Sequence, residues 1–213
     1  ALSDTHENVR LAASQSLSEI KHAESAQHLA PYLQQQDDFV VASILRAIRE
    51  LRAESLFDNI LQHVQHSNAL VRKEAVSTLS WLQKQQGFSA LAEIAQNDPD
   101  AEIRRIATGG LGATLNLSPE ILSALRSSLT AEAWQLRVEA ALTIGKLKTA
   151  ELEQALLHQL DDNYWQVRIA ATRSLGLLQS NAAIAKLAEN FQHDISNLRK
   201  EVAIALGEIG GEQ

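Results

Sequence analysis

The sequence predicts an all-α fold, an α-solenoid of about six to seven antiparallel helix pairs, and three observations carry that expectation. An aliphatic residue, usually an arginine, a small residue, then Leu or Ile at helical intervals recur seven times from Val9 onward. The arginines stand at Arg10, Arg72, Arg104, Arg137, Arg168 and Arg199, with Val41 in the second register, so successive steps are 31, 31, 32, 33, 31 and 31 residues. No strand-like alternation of any length interrupts them. Tandem units that shield one another need no single globular centre, so residues 1–213 read as one elongated domain.

The first helix of each unit, helix A, follows from three columns. One before the register stand Val9, Val40, Val71, Ile103, Leu136, Val167 and Leu198. Three after it stand Ala13, Ile44, Ala75, Ala107, Ala140, Ala171 and Val202, and seven after it Leu17, Ile48, Leu79, Leu111, Ile144, Leu175 and Leu206. Spaced i, i+4, i+8, these share one helical face that must meet a neighbour. Eight after the register lies a small residue, Ser18, Ser80, Gly112, Gly145, Gly176 or Gly207, with Arg49 the exception. Small residues there predict either close helix approach or the helix exit.

Helix B follows from apolar pairs four apart: Leu29 and Leu33, Ile60 and Val64, Leu91 and Ala95, Leu125 and Leu129, Leu156 and Leu160, Leu187 and Phe191. Polar turns containing Asp37 and Asp38, Ser67 and Asn68, Asp98 and Asp100, Asp161 to Asn163, and Asp194 lead into the next helix A and supply its cap. Pro31 should kink the first helix B. The fourth unit departs most, with Gly109, Gly110 and Gly112 in one helix, then Ser118 as N-cap and Pro119 at the first helical position. Those glycines predict a bend or hinge, or a contact only Gly permits. Ala1 to Asp4 resemble the tail of a helix B, and the chain stops after Gly207 where another should begin. The expectation is a piece of a longer array, with flanking repeats or domains.

The arginine column reads as a structural ladder. Each guanidinium is expected to bond a turn carboxylate or helix-end carbonyl of the preceding unit while its stem covers apolar surface.

Composition excludes several function classes. A net charge of −7 argues against nucleic acid, whose binders need clustered Lys and Arg. No apolar run approaches the roughly 18 residues of a membrane span, and no signal peptide is read, which leaves the cytoplasm as the default location. With no cysteine there is no disulfide, thiolate metal site or cysteine nucleophile.

Val71-Arg72-Lys73-Glu74-Ala75, Val167-Arg168-Ile169-Ala170-Ala171 with Ser174-Leu175-Gly176, and Leu198-Arg199-Lys200-Glu201-Val202 with Ala205-Leu206-Gly207 resemble HEAT repeats, and more narrowly the bilin-lyase-like class. The resemblance covers essentially the whole chain. It implies architecture, because this repeat serves lyase subunits, scaffolds and adaptors alike.

Few residues have a spacing that suits catalysis or metal binding. Deoxyhypusine hydroxylases, a HEAT-like enzyme family, carry His-Glu pairs just after the register to bind two irons. Here those positions read Leu11-Ala12, Ala42-Ser43, Lys73-Glu74, Arg105-Ile106, Val138-Glu139, Ile169-Ala170 and Lys200-Glu201, which argues against that activity. His63 and His66 have a spacing that can share a metal, but no third ligand stands nearby, so they are expected to face solvent. Glu74, Glu139 and Glu201 are read as a solvated charged face. Trp134 and Trp165, with Tyr164 beside the second, either staple the chain entry against the neighbouring unit or form an aromatic ridge for a partner. Trp81 is expected in the core.

The functional expectation is a non-catalytic scaffold without cofactor or metal, binding a protein or peptide segment along the B helices. The HEAT resemblance places those helices on the inner, concave side. Just before the second apolar marker run Tyr32, His63, Ile94, Ser128, Gln159 and Asn190, expected to line the binding row. One residue earlier run Pro31, Gln62, Glu93, Ser127, His158 and Glu189. The alternative is a subunit of a bilin or phycobiliprotein lyase, with a tetrapyrrole held in the concavity by His158 or Tyr32.

Overall fold

Seven A helices and six B helices alternate along residues 1–210, the part of the chain that the computed structural model describes. The A helices are α1 (Glu7–Ser18), α3 (Asp38–Glu50), α5 (Ala69–Leu82), α7 (Ala101–Gly110), α9 (Trp134–Leu147), α11 (Trp165–Leu177) and α13 (Ser196–Gly210). The B helices are α2 (Ser25–Leu29), α4 (Phe57–Leu61), α6 (Phe88–Asn97), α8 (Pro119–Leu129), α10 (Glu153–Gln159) and α12 (Ile184–Glu189). Each A helix packs on the A helices before and after it, and each B helix packs on the A helix that follows it. The architecture is the all-α solenoid that the period predicts. The expected restart of a helix B beyond Gly207 falls partly on residues 211–213, outside the described residues.

The three apolar columns form the core. Val71, Ile103, Val167, Ala75, Ala107, Ala140, Ala171, Leu111, Ile144 and Leu175 are completely buried, and all but Val167 belong to a continuous cluster that extends from Ala26 to Ile209. Exceptions in the columns lie at the first and last units, where Val9 is exposed and Ala13, Leu17 and Leu206 are half-buried; the last helix-B marker, Phe191, is exposed as well. Polar turns cap as expected at three entries. Asp37 accepts from the Phe39 and Val40 amides, Asn68 from Leu70, and Asp100 from Glu102 and Ile103. Ser118 caps α8 with Pro119 in its first turn. Pro31 ends α2 rather than kinking a longer helix: the chain tightens into a 3₁₀ turn over Ala30–Gln34, where its missing amide costs least.

Of the small residues eight past the register, Gly145 and Gly176 mark close approach, whereas Ser18 ends α1, Gly112 lies beyond the end of α7, and Gly207 has nothing within 4 Å. A Cβ on Gly145 would lie 2.9 Å from Ser174 Cα, and one on Gly176 would lie 2.9 Å from Ala205 Cα, so both glycines let successive A helices touch backbone to side chain. Gly109 and Gly110 work in the same way, facing Glu139 and Ser80. Helix α7 passes from Gly110 into a 3₁₀ turn over Leu111–Ala113. The exits lie three residues further on, at Arg52, Gln83, Lys148 and Gln179, all left-handed with φ of 51 to 53°. After α3 and α11 the amides of Ala53 and Ser180 reach back to the carbonyls of Ile48 and Leu175, the Schellman arrangement with a non-glycine residue at its left-handed position.

Polar groups also bind A helix to A helix. Thr78, Thr143 and Ser174, six past the register, donate to the carbonyls of Leu45, Thr108 and Ala141 on the preceding A helix at 3.1, 3.4 and 2.7 Å. Glu74, Glu139 and Glu201 are not a solvated face. Each accepts from an arginine of the preceding A helix: Glu74 from Arg46 and Arg49, Glu139 from Arg105, Glu201 from Arg173. Glu74 and Glu201 are buried, and their partners satisfy the charge that burial would otherwise penalise. Hydrogen bonding to Glu201 pushes the Arg173 pKa up, and bonding first to Glu102 and then to Glu139 does the same for Arg105.

Candidate functional site

The edge where B helices hand over to A helices gathers most of the residues singled out by the sequence. Ladder arginines sit one turn into each A helix, so their side chains run back under the preceding turn. Arg72 Nη1 donates to the carbonyls of His66 and Ser67, Arg104 to those of Asp98 and Pro99, Arg137 to those of Ala131 and Glu132, and Arg199 to those of His193 and Asp194. The carbonyl half of the expected ladder thus closes the turn that ends the preceding unit.

The carboxylate half runs in the opposite direction from the one expected. Arg72 grips Asp98 through Nε and Nη2 at 2.9 and 3.2 Å, and Arg137 grips Asp162 at 2.7 and 2.8 Å, each in the turn that ends the arginine's own unit and leads into the next. These pairs are nearly enclosed, with Asp98 4% and Asp162 9% exposed. Burial pushes the Asp162 carboxyl up, but the Arg137 guanidinium and the Tyr164 amide outweigh it, and its pKa lies below the ordinary value. The partner aspartates were missed although a signal was present: each lies six residues before the next register arginine, Arg104 and Arg168. Arg10 instead covers the Phe39 ring at 5.3 Å, and the Nε atoms of Arg10 and Arg168 are enclosed without a partner among the described residues.

The expected binding row is largely internal. His63 is 8% exposed, with Nδ1 2.8 Å from the Asn59 carbonyl and Nε2 3.0 Å from the Leu33 carbonyl of the preceding unit. It neither faces solvent nor presents a free nitrogen to a metal. Ile94, Ser128 and Gln159 are buried too, Asn190 is half-buried and bonded to the Lys186 carbonyl, and Tyr32 alone in the row is fully outward, at 50%. The reason is helical spacing: a residue three after the first apolar marker shares the marker's face. One position earlier the side chains point away, and Pro31, Gln62, Glu93, Ser127, His158 and Glu189 are all exposed.

The aromatic residues divide between both readings. Trp134 is half-buried and stacks on Tyr164 of the next unit at 5.7 Å, with the Arg137 guanidinium 5.5 Å from the same ring. Tyr164 and Trp165 nevertheless remain 45% and 38% exposed. Trp81 is not core. It is 51% exposed at the opposite edge, beneath Arg52 at 5.4 Å, where α5 ends.

Between successive turns the arginine edge leaves clefts of about 430, 250 and 450 Å³. Arg72, Arg104 and Arg137 respectively stand in their walls. Among the described residues no group of three or more His, Asp or Glu could hold a metal ion, and no helix is long and apolar enough to cross a membrane.

A model of HEAT repeats matches residues 40–112, 88–164 and 153–213. No curated protein matches the sequence. Human deoxyhypusine hydroxylase in complex with glycerol is similar in structure, at TM-score 0.52 and 17% identity over 100% of this chain and 83% of that one. The complex of CpcE and CpcF of phycocyanin lyase from Nostoc aligns at TM-score 0.54 and 16% identity, over 98% of this chain and 91% of that one. Importin beta aligns at TM-score 0.59 and 14% identity, over 96% of this chain and 34% of that one. An enzyme, a lyase complex and importin beta share the architecture, so these likenesses speak to the fold alone. By the repeats matched across most of its length, the chain belongs to the HEAT repeat family.

Proposed function

We propose that this chain is a non-catalytic scaffold that binds a protein or peptide segment along the edge where B helices turn into A helices and the exposed B-helix row beside it. One observation carries the reading. Of three tryptophans and two tyrosines, four are more than a third exposed: Tyr32, Trp81, Tyr164 and Trp165. Large aromatics left outward at this rate serve as anchors in protein interfaces, where they bury much area at little entropic cost. Tyr164 and Trp165 directly follow Asn163, which lines the cleft at Arg137, Tyr32 stands in the B-helix row, and His158, Glu93 and Glu189 supply a polar rim.

The test is quantitative affinity capture on the native chain against the double substitution Tyr164→Ser with Trp165→Ser, both with matched thermal stability. A protein retained at stoichiometric level by the former and lost by the latter supports the reading. Identical captured sets would contradict it.

A further inference from the structure

We infer that the cleft at Arg104 is a receptor for a carboxylate side chain supplied by a partner segment, which takes the position that aspartates of this chain occupy at the two neighbouring ladder arginines. The inference rests on the proposed scaffold function and names what one point of its surface recognises. Arg72 and Arg137, on either side of Arg104 in the ladder, use the same atoms in the same way: Nη1 on two turn carbonyls, Nε and Nη2 together on an aspartate of the next turn. Arg104 keeps the first half. Its Nη1 is held at 2.6 and 3.3 Å by the Asp98 and Pro99 carbonyls, so the guanidinium plane is fixed. The second half has no partner among the described residues, because the residue corresponding to Asp98 and Asp162 is Ala131.

The backbone there is otherwise equivalent. The Ala131 carbonyl accepts from Arg137 just as the Asp98 carbonyl accepts from Arg104. Where the aspartate would stand there is a cleft of about 250 Å³, bounded by Gln96, Ser127, Ser128, Thr130 and Ala131. A fixed guanidinium fork with its Nε and Nη2 edge free matches a planar carboxylate at two points. Ser127, exposed on the same wall, adds a hydroxyl donor, while the Thr130 hydroxyl donates to the Ser127 carbonyl at 3.0 Å. The charge of the ligand is limited as well. Glu132 also lines the cleft and the chain carries −7 overall, which suits a monoanion better than a phosphate dianion. Arg168 also lacks an aspartate, His193 standing at the corresponding position, but its Nε is enclosed.

The test follows the Nε–Hε resonances of the ¹⁵N-labelled full chain during titration with acetyl-Gly-Asp-Gly-amide, its Asn counterpart and inorganic phosphate. The Arg104 resonance is expected to move saturably with the Asp peptide and not with the Asn peptide. Ala131→Asp should move it without peptide, toward the Arg72 and Arg137 positions, and weaken the Asp peptide by about tenfold or more. An unmoved resonance, an equal response to the Asn peptide, a stronger response to phosphate, or an undiminished response in Ala131→Asp would each overturn the assignment. The titration needs no natural partner, so it fails or succeeds separately from the loss of partner on changing Tyr164 and Trp165.

Discussion

Arg72 and Asp98 meet through two parallel hydrogen bonds, 2.9 and 3.2 Å long, at the boundary between the third unit and the fourth. The Asp98 carbonyl then accepts from Arg104, so one residue ties two successive register arginines together. In a quasi-linear array, where stability is a sum over units and their interfaces, such a link sets how far one unit's opening spreads to the next.

The equivalent link between Arg137 and Asp162 gives a pH signature. The Asp162 pKa is depressed in the folded chain relative to its ordinary value of 3.8, so its pairing contributes stability that is present above that value and lost as pH falls through the folded pKa. We predict that Asp162→Asn is clearly less stable than the native chain at neutral pH, and that the difference shrinks below the ordinary carboxylate range. Urea denaturation of both proteins across that range checks it, and a gap that stays constant with pH would count against the pairing.

Two glycines should respond to alanine with opposite signs. At Gly145 the added Cβ meets Ser174 Cα at 2.9 Å, so Gly145→Ala forces successive A helices apart and destabilises despite better helix propensity. At Gly207 nothing lies within 4 Å, and Gly207→Ala should stabilise by about 1 kcal/mol, the propensity difference alone. Thermal denaturation of both variants decides the matter.

His63 is expected to behave as a core residue. His63→Ala removes the ring's contacts with the Leu33 and Asn59 carbonyls and leaves a cavity, at a cost of about 2 kcal/mol. Neutral stability, measured by chemical denaturation, would mean that the histidine faces water after all.

At the helix exits the left-handed residues carry side chains. Gln83→Gly relieves the left-handed cost of roughly 1 kcal/mol, partly offset by the entropy glycine loses on folding, so a gain of about 0.5 kcal/mol is predicted. A loss of stability on the same denaturation curve would show that the Gln83 side chain makes contacts of greater worth.

The sequence made the repeat legible because burial there depends on residue type: Val71, Ala75 and Leu79 lie on one helical face whatever surrounds them. The exits at Arg52, Gln83, Lys148 and Gln179 were hidden because the left-handed position is filled by residues with no such preference, their conformation being imposed by the hairpin. Glu74 and Glu201 looked like surface charges since their arginine partners, Arg46 and Arg173, lie 28 residues away and off the register column. His63 was legible in principle, three residues after Ile60 on the apolar face, and its polarity obscured that. Trp81 is exposed although Leu82 beside it packs on the core, because it stands nine past the register, off the apolar columns, where Lys146 and Leu177 are exposed as well.

The most direct test of the account is a double-mutant cycle on Arg72→Met and Asp98→Asn, measured by urea denaturation. Each single change should cost about 3 kcal/mol by leaving a buried partner unsatisfied, and the double should cost much less than the sum, a coupling of about 2 kcal/mol. Additivity within about 0.5 kcal/mol would contradict it, since Arg72 and Asp98 would then be neighbours without holding the units together.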